Sequence, residues 1–392
     1  MAASFGKRQS FGQRPVERYT YVRPAAVAAP SVEPAAVALH PPKIPFFTAG
    51  LTLALCAIYA GQIYLTGEAF GFRDAVTWGG IDRHLVADGH EWWRVLTAPW
   101  LHGSIDHLIG NLIALIVAGA ILERHIGTAW LAAIYFAGGI GGSIGSMVMN
   151  DPRMVSVGAS GAIMALVTLV FALTFHVCLQ DHARRLRRLA LFTIIPALAP
   201  SAAHGVQEID VGAHFGGFVV GMTAAYLLLV IWNESEPLPA GRLLARGFAV
   251  ATGLLALFAG LQVAQHAPAY AERAKALAPV TILSNDEAVA RDSIDLLLRY
   301  PHDPVLRLVL AIQAMKERRY GDAESHARAG RDERDLLTTF FPHQIDDKLQ
   351  AALALALLGE RRIADAIEAA QPVCNVADYQ AILQEAKLCP AP

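Results

Sequence analysis

Charge is scarce in this 392-residue chain. Only 17% of its residues are Asp, Glu, Lys or Arg, against about 25% in an ordinary soluble domain. Hydrophobic residues make up 54%, which tilts the chain toward a bilayer. A formal net charge of -2 leaves no global attraction to nucleic acid. Cysteine is scarce as well. The four present form no CxxC or Cys/His spacing suited to zinc, so no metal is expected. The HExxH signature of a zinc protease is missing; His90-Glu91-Trp92-Trp93-Arg94 lacks the second histidine. No aspartate pair lies within the apolar runs, and no cofactor is implied. The beginning of the chain lacks the apolar stretch of a secretory signal.

What is present is a series of apolar runs near the roughly 20 residues that cross a bilayer. They fall at about 45–65, 102–122, 128–149, 157–178, 188–203, 211–232 and 247–265. The fifth contains Pro196 and Pro200. Residues 1–43, rich in Pro, Ala and Val, read as a flexible tail. Lys7, Arg8, Arg14, Arg18, Arg23 and Lys43 make this tail basic and hence cytoplasmic. Arg124, the Arg184, Arg185, Arg187 and Arg188 cluster, and Arg242 with Arg246 then fall in loops on the same side. Arg73, Arg83 and Arg94, in the first outer loop, run against the pattern. Seven spans place the C-terminal region outside, where Cys374 and Cys389 can pair in an oxidising compartment. Cys56 and Cys178 lie in apolar runs and read as packing residues.

Beyond about residue 270 the pattern is that of soluble helices. Glu317-Arg318-Arg319-Tyr320-Gly321-Asp322-Ala323 recurs as Glu360-Arg361-Arg362-Ile363-Ala364-Asp365-Ala366, an offset of 43 residues. Each copy follows an Ala/Leu-rich helical stretch. A repeated turn between amphipathic helices resembles a tetratricopeptide-type hairpin, although that repeat is about 34 residues long. A small helical bundle fits the pattern equally. Either would serve as a docking module for a protein partner rather than as a catalyst.

Polar groups inside a bilayer cost free energy unless satisfied, so they point to function. Here they cluster at similar depth. His107 and Asn111 lie near the outer end of the second run, Ser160 near that of the fourth, and His214 near that of the sixth. Ser160 sits in Gly158-Ala159-Ser160-Gly161, where a helix start offers free N–H groups. It could equally be a small packing residue. His214 is followed by Gly217 and Gly221 on one helix face, and Gly161 with Ala165 forms a matching stripe beside Ser160. Two such faces let helices approach closely, as a serine–imidazole hydrogen bond requires. A lone structural histidine is the alternative. His107 and Asn111, one turn apart, share a face and could donate to an oxyanion or bind helices together.

The set resembles the rhomboid family of intramembrane serine proteases. The matching pieces are Trp93-Arg94, then His102-x4-His107-x3-Asn111, Glu123-Arg124, Gly158-x-Ser160-Gly161 and Ala213-His214-x-Gly216-Gly217-x3-Gly221. The resemblance implies Ser160 as nucleophile and His214 as base, with no acidic third member. It implies an oxyanion hole of His107, Asn111 and the Ser160 N–H. Trp93-Arg94 would belong to a membrane-embedded outer loop, and Glu123-Arg124 to structural contacts on the cytoplasmic side. His102 matches a family position, with packing or chemistry open to it. Met164 stands where relatives often place an aromatic ring against the histidine. Asp210 is not assigned as a triad acid.

The expected fold is therefore all-α: a polytopic membrane helix bundle of six spans plus a seventh, with a soluble helical C-terminal domain. The expected division is a tail at 1–43, a membrane core at 44–235, a link and seventh helix at 236–268, and a helical domain at 269–392. The expected function is cleavage of single-span membrane proteins near the outer face of a bacterial inner membrane. The substrates and the lipid bilayer are then the partners, without nucleic acid. A catalytically inactive relative acting as a chaperone or trafficking factor is the alternative, and a transporter is less favoured because the polar groups sit near one face rather than at the midplane. A reporter fused after residue 392 should be active only outside the membrane; a cytoplasmic signal would overturn the seven-span count.

Overall fold

In the computed structural model, the described residues are 45–66, 70–151, 154–176, 179, 182–199, 209–233, 236–279, 282, 289, 291–341 and 344–390. The tail at 1–43, Cys178, and residues 200–208 at the end of the fifth run lie outside them. Every named secondary-structure element among the described residues is helical. Four stretches are long and apolar enough to cross a bilayer: Phe46–Thr66 (α1), Ile105–Met149, Val211–Ile231 and Arg242–Ala274. Their outward faces are apolar too, with Leu53, Ile113, Val148, Tyr226 and Leu254 all exposed. That arrangement suits hydrocarbon rather than water.

Between α1 and the second stretch runs a structured loop carrying α2 (Phe72–Thr77), α3 (Arg83–Ala87), α4 (Arg94–Thr97) and a 3-10 turn at Ala98–Trp100. The Ile105–Met149 stretch breaks at Ile126, where Gly127 has φ +82°. It becomes α5 (Ile105–His125) and α6 (Gly127–Met149). The helix at the fourth run, α7 (Ser160–Leu173), has only 14 residues. It forms the centre of the bundle, with every residue buried except Ser160 and Phe171. The helix at the fifth run, α8 (Ala183–Ala197), starts earlier than the apolar pattern suggests. The arginines expected in a loop instead form its first turns. Arginine is a good helix former, and the Arg187 guanidinium sits 3.9 Å from the Phe175 ring centroid while donating to the Thr174 carbonyl.

The sixth run becomes α9 (Val211–Ile231) and the seventh α10 (Arg242–Ala274), 33 residues long. The expected boundary at 268 falls inside α10, because its last turns have tertiary partners. The Tyr270 hydroxyl donates to Glu91 at 2.6 Å, and His266 lies 5.6 Å from Trp93 between ring centroids.

Helices α6, α7 and α9 meet backbone to backbone. A Cβ on Gly217 would collide with the Gly161 carbonyl, one on Gly216 with Gly141, and one on Gly142 would lie 2.9 Å from the Gly161 Cα. The small-residue faces read from the sequence therefore do face each other, and glycine-rich α6 joins them.

The C-terminal helices are α11 (Ser293–Arg299), α12 (Pro304–Lys316), α13 (Tyr320–Asp332), α14 (Arg334–Phe340), α15 (Gln344–Gly359), α16 (Ile363–Ala370) and α17 (Ala377–Glu385). The sequence echo is a structural one. Arg318 and Arg361 both adopt positive φ, near +60° and +64°. Arg319 N–H returns to the Ala314 carbonyl and Arg362 N–H to Leu357, closing the same helix-ending turn twice. Each following arginine then pairs with an aspartate three residues on, Asp322 or Asp365. Cys374 and Cys389 form a disulfide with a Cα–Cα distance of 5.6 Å. Cys56, expected to pack, is instead exposed on α1.

This region packs on the outer loop. Val76 of α2 joins Tyr270, Leu277, Leu336 and Phe340 in one buried cluster. Arg73 donates to the Ala278 carbonyl at 2.8 Å and lies 3.9 Å from Asp303. Burial pushes the Asp303 carboxyl up, opposed by its three backbone N–H donors and by Arg73. Phe340 is 1% exposed, and truncating a buried Phe costs about 3–5 kcal/mol. Phe340→Ala should therefore loosen the C-terminal helices from the loop and raise their susceptibility to limited proteolysis. An unchanged cleavage pattern would contradict this packing.

Candidate active site

Three helix starts converge on one cavity of about 640 Å³, lined by Ser160, His214, His107, Asn111, Ser156 and Asp210 among others. Ser160 is the first residue of α7, not a turn inside it as the apolar run suggests. It therefore sits where helix N–H groups lack intrahelical partners. His214 is the fourth residue of α9, His107 the third of α5 and Asn111 the seventh. Ser104 caps α5 by accepting the His107 N–H at 3.2 Å, and Asp210 caps α9 by accepting the Ala213 N–H at 2.6 Å.

Ser160 and His214 adjoin a close contact between α7 and α9. Gly161 follows Ser160, Ala213 precedes His214, and a Cβ on Gly161 would lie 3.2 Å from the Ala213 carbonyl. The imidazole is oriented from its other side, with Nδ1 2.9 Å from the Ala197 carbonyl in the last turn of α8. A carbonyl can only accept, so Nδ1 carries the proton, and in the neutral ring Nε2 is the basic nitrogen. The partner of Nδ1 is thus a main-chain carbonyl rather than a carboxylate.

Asn111 is buried, and its amide lies 3.1 Å from His102 Nε2. An amide nitrogen carries two hydrogens, so a second remains available. His102 is fully buried, and its ring lies 5.2 Å from that of His107. Its backbone is gripped twice by Gln62 of α1, through N–H···Oε1 and Nε2–H···O contacts of 3.1 Å each. Gly158, at φ +135°, lies close against His107; a Cβ there would be 2.7 Å from His107 Cε1. Met164 is buried in the main hydrophobic core and does not line the cavity.

Trp93 and Arg94 are buried in the outer loop. Arg94 donates to Glu91 at 2.6 Å and to the Val76 and Gly80 carbonyls at 2.7 and 3.0 Å. The next residue, Ile81, pairs with Ser156 through two backbone hydrogen bonds of 2.9 Å. The outer loop is thereby joined to the segment leading into Ser160. Glu123 caps α1, accepting from the Phe47 and Thr48 N–H groups at 3.0 Å and from the Thr48 hydroxyl at 2.8 Å. A carboxylate is favourable at a helix N-terminus. Arg124, expected to share that structural role, is exposed, because it points off the face of α5 that meets α1. Gly221 lies against Ala165, and Gly217 against Gly161.

Gln62, Ser156, Asn150 and the Ala197 carbonyl hold the site together without standing out in the sequence. A lone amide in an apolar run could have marked Gln62. The others act through tertiary proximity and carry no local signal.

Among the described residues, this is an apolar all-α bundle with a polar, serine- and histidine-lined cavity at one end, an integral membrane protein. The rhomboid domain model matches residues 89–231. The chain is 33% identical over 159 residues to putative rhomboid protease YdcA of Bacillus subtilis (strain 168), covering 40% of this chain and 75% of that protein. It is 32% identical over 261 residues to rhomboid protease GluP of the same organism, covering 63% of this chain and 48% of GluP. It is 34% identical over 155 residues to RHOMBOID-like protein 5 of Arabidopsis thaliana, covering 39% of this chain and 48% of that protein. This chain belongs to the rhomboid family. It spans about half the length, or less, of several of the curated relatives it matches.

A methyl group on Gly158 would meet both a strained φ and the His107 ring. Backbone strain of this kind costs about 1–3 kcal/mol. Gly158→Ala should lower the thermal unfolding midpoint of the purified protein, and an unchanged midpoint would contradict the close contact.

Proposed function

We propose that this protein is an intramembrane serine endopeptidase that cleaves single-span membrane proteins through a Ser160–His214 dyad. The observation that carries the reading is the convergence of Ser160, His214, His107 and Asn111 on one cavity at the starts of three apolar helices. The relatives named as rhomboid proteases support it.

Ser160 Oγ attacks the scissile carbonyl carbon while His214 Nε2 takes its proton. The imidazolium returns that proton to the leaving amine as the peptide C–N bond breaks. Water then hydrolyses the acyl-enzyme by the same route. Negative charge on the tetrahedral oxygen is met by the Ser160 N–H and by His107 and Asn111, each well-placed donor contributing about 3–4 kcal/mol. The Ala197 carbonyl holds the ring from its Nδ1 side.

The short central helix accounts for the depth of the site. At about 1.5 Å per residue, the 14 residues of α7 span about 21 Å, against about 30 Å of hydrocarbon. If its far end reaches one face, Ser160 lies about 9 Å below the other. Ser104, Asp106, Ser156 and Asp210 on the cavity wall give water a polar lining at that depth. A helical substrate must unwind to expose its carbonyl, which favours segments with helix-weakening residues. Basic side chains orient the chain with the tail and Arg124 in the cytoplasm and the cavity facing outward. In the same reading, 44–235 forms the catalytic core and the helices beyond α10 form an external domain that engages a protein partner.

The test is cleavage of a single-span reporter in liposomes by purified wild type, Ser160→Ala and His214→Ala. Each variant should insert normally and lose at least about 10⁴-fold in kcat. Cleavage that persists in Ser160→Ala would sink the dyad. A wild type as inert as the variants would instead indicate a non-catalytic rhomboid.

A further inference from the structure

Asp210 takes no part in the proposed chemistry, yet its carboxylate joins three segments at the cavity. Oδ1 accepts from the Ala213 N–H of α9 at 2.6 Å and from Asn150 Nδ2, just past the end of α6, at 2.6 Å. Oδ2 accepts from the Ser156 hydroxyl. Asn150 tightens the knot by accepting the Gly212 N–H at 3.0 Å while its amide also donates to Ser146 at 3.0 Å. Ser156 in turn is fixed to the outer loop by its two backbone bonds to Ile81.

The placement matters because of what surrounds it. Ser156 lies four residues before Ser160. Asp210 lies one helical turn before His214, whose N–H its carbonyl accepts at 3.1 Å. The contact between α7 and α9 is made of glycine faces. Such faces permit close approach, but with no side chains to interlock they do little to prevent sliding along the helix axes. A polar tie between the segment feeding Ser160 and the start of the helix carrying His214 supplies that register. Capping α9 needs only one acceptor, which Ser or Asn would also provide. Joining two further segments as well takes a second polar atom on the same side chain, which Asp and Asn have and Ser lacks. Asp210 does not orient the imidazole, since Nδ1 is held by the Ala197 carbonyl.

We propose that Asp210 is a positioning residue that sets the register of His214 against Ser160 by tying the start of α9 to Ser156 and Asn150. This rests on the dyad reading. Misplacement by about 1 Å costs on the order of 100-fold in rate.

The experiment measures kcat and KM on the reporter, labelling of Ser160 by a fluorophosphonate, and the thermal midpoint. It compares wild type, Asp210→Ser, Asp210→Asn, Ser156→Ala and the Asp210→Ser/Ser156→Ala double variant. Asp210→Ser keeps the helix cap but is too short to reach the other segments. It should hold the midpoint and KM near wild type while kcat and labelling fall about 10- to 100-fold. Asp210→Asn keeps an acceptor for Asn150 and can donate to the Ser156 oxygen, so it should recover kcat to within about 3-fold of wild type. Ser156→Ala should match Asp210→Ser, and the double variant should be no worse than the more impaired single one. An active wild type with an unimpaired Asp210→Ser, an Asp210→Asn as poor as Asp210→Ser, or additive losses in the double variant would each overturn the proposal alone. A wild type that neither cleaves nor labels would overturn the dyad reading and this proposal with it.

Discussion

The backbone contact among α6, α7 and α9 governs the rest of the molecule. In a bilayer, helices gain little from hiding apolar surface from one another, because lipid is as apolar as they are. Dispersion at close range and hydrogen bonds must do the work instead. Gly142, Gly161, Gly216 and Gly217 remove the Cβ atoms that would hold the axes apart. Because Ser160 and His214 flank this contact, the proposed catalytic pair inherits its proximity from backbone packing rather than from a loop. The same contact buries α7 almost completely and leaves its start open to the cavity.

Proximity without register would be an incomplete device, and polar ties at the helix ends complete it. Glu123 fastens the start of α1, Gln62 of α1 grips the His102 backbone, and His102 meets Asn111. Arg94 holds the outer loop together from its centre, and Ile81 passes that order to Ser156. On the far side of the loop, Val76 and Arg73 connect it to α10 and the C-terminal helices. A continuous chain of contacts thus runs from Phe340 to the segment before Ser160.

Much of this was legible residue by residue. The spacing of His107 and Asn111, the GxSG turn and the small-residue faces all pointed to one end of an apolar bundle. The turns at Arg318 and Arg361 were visible as an echo because each repeats a full helix-ending sequence. Other features were not legible. Apolar runs overstated α7 and understated α10, since hydropathy records composition, while helix ends depend on caps and on tertiary partners such as Glu91 for Tyr270. The Arg184–Arg188 cluster has the charge of a loop, although arginine continues a helix well. His214 Nδ1 meets a main-chain carbonyl, which no side-chain pattern encodes.

The sequence by itself determined that the chain is a helical membrane protein, which polar groups are costly enough to matter, and which glycine faces could meet. Those properties follow from hydropathy, helical period and side-chain volume, all local. The tertiary structure alone decided that Ala197 orients His214, that Asp210 serves three segments at once, and that the C-terminal helices rest on the outer loop. Each of these depends on atoms distant in sequence reaching hydrogen-bonding or van der Waals range, and only the folded chain brings them there.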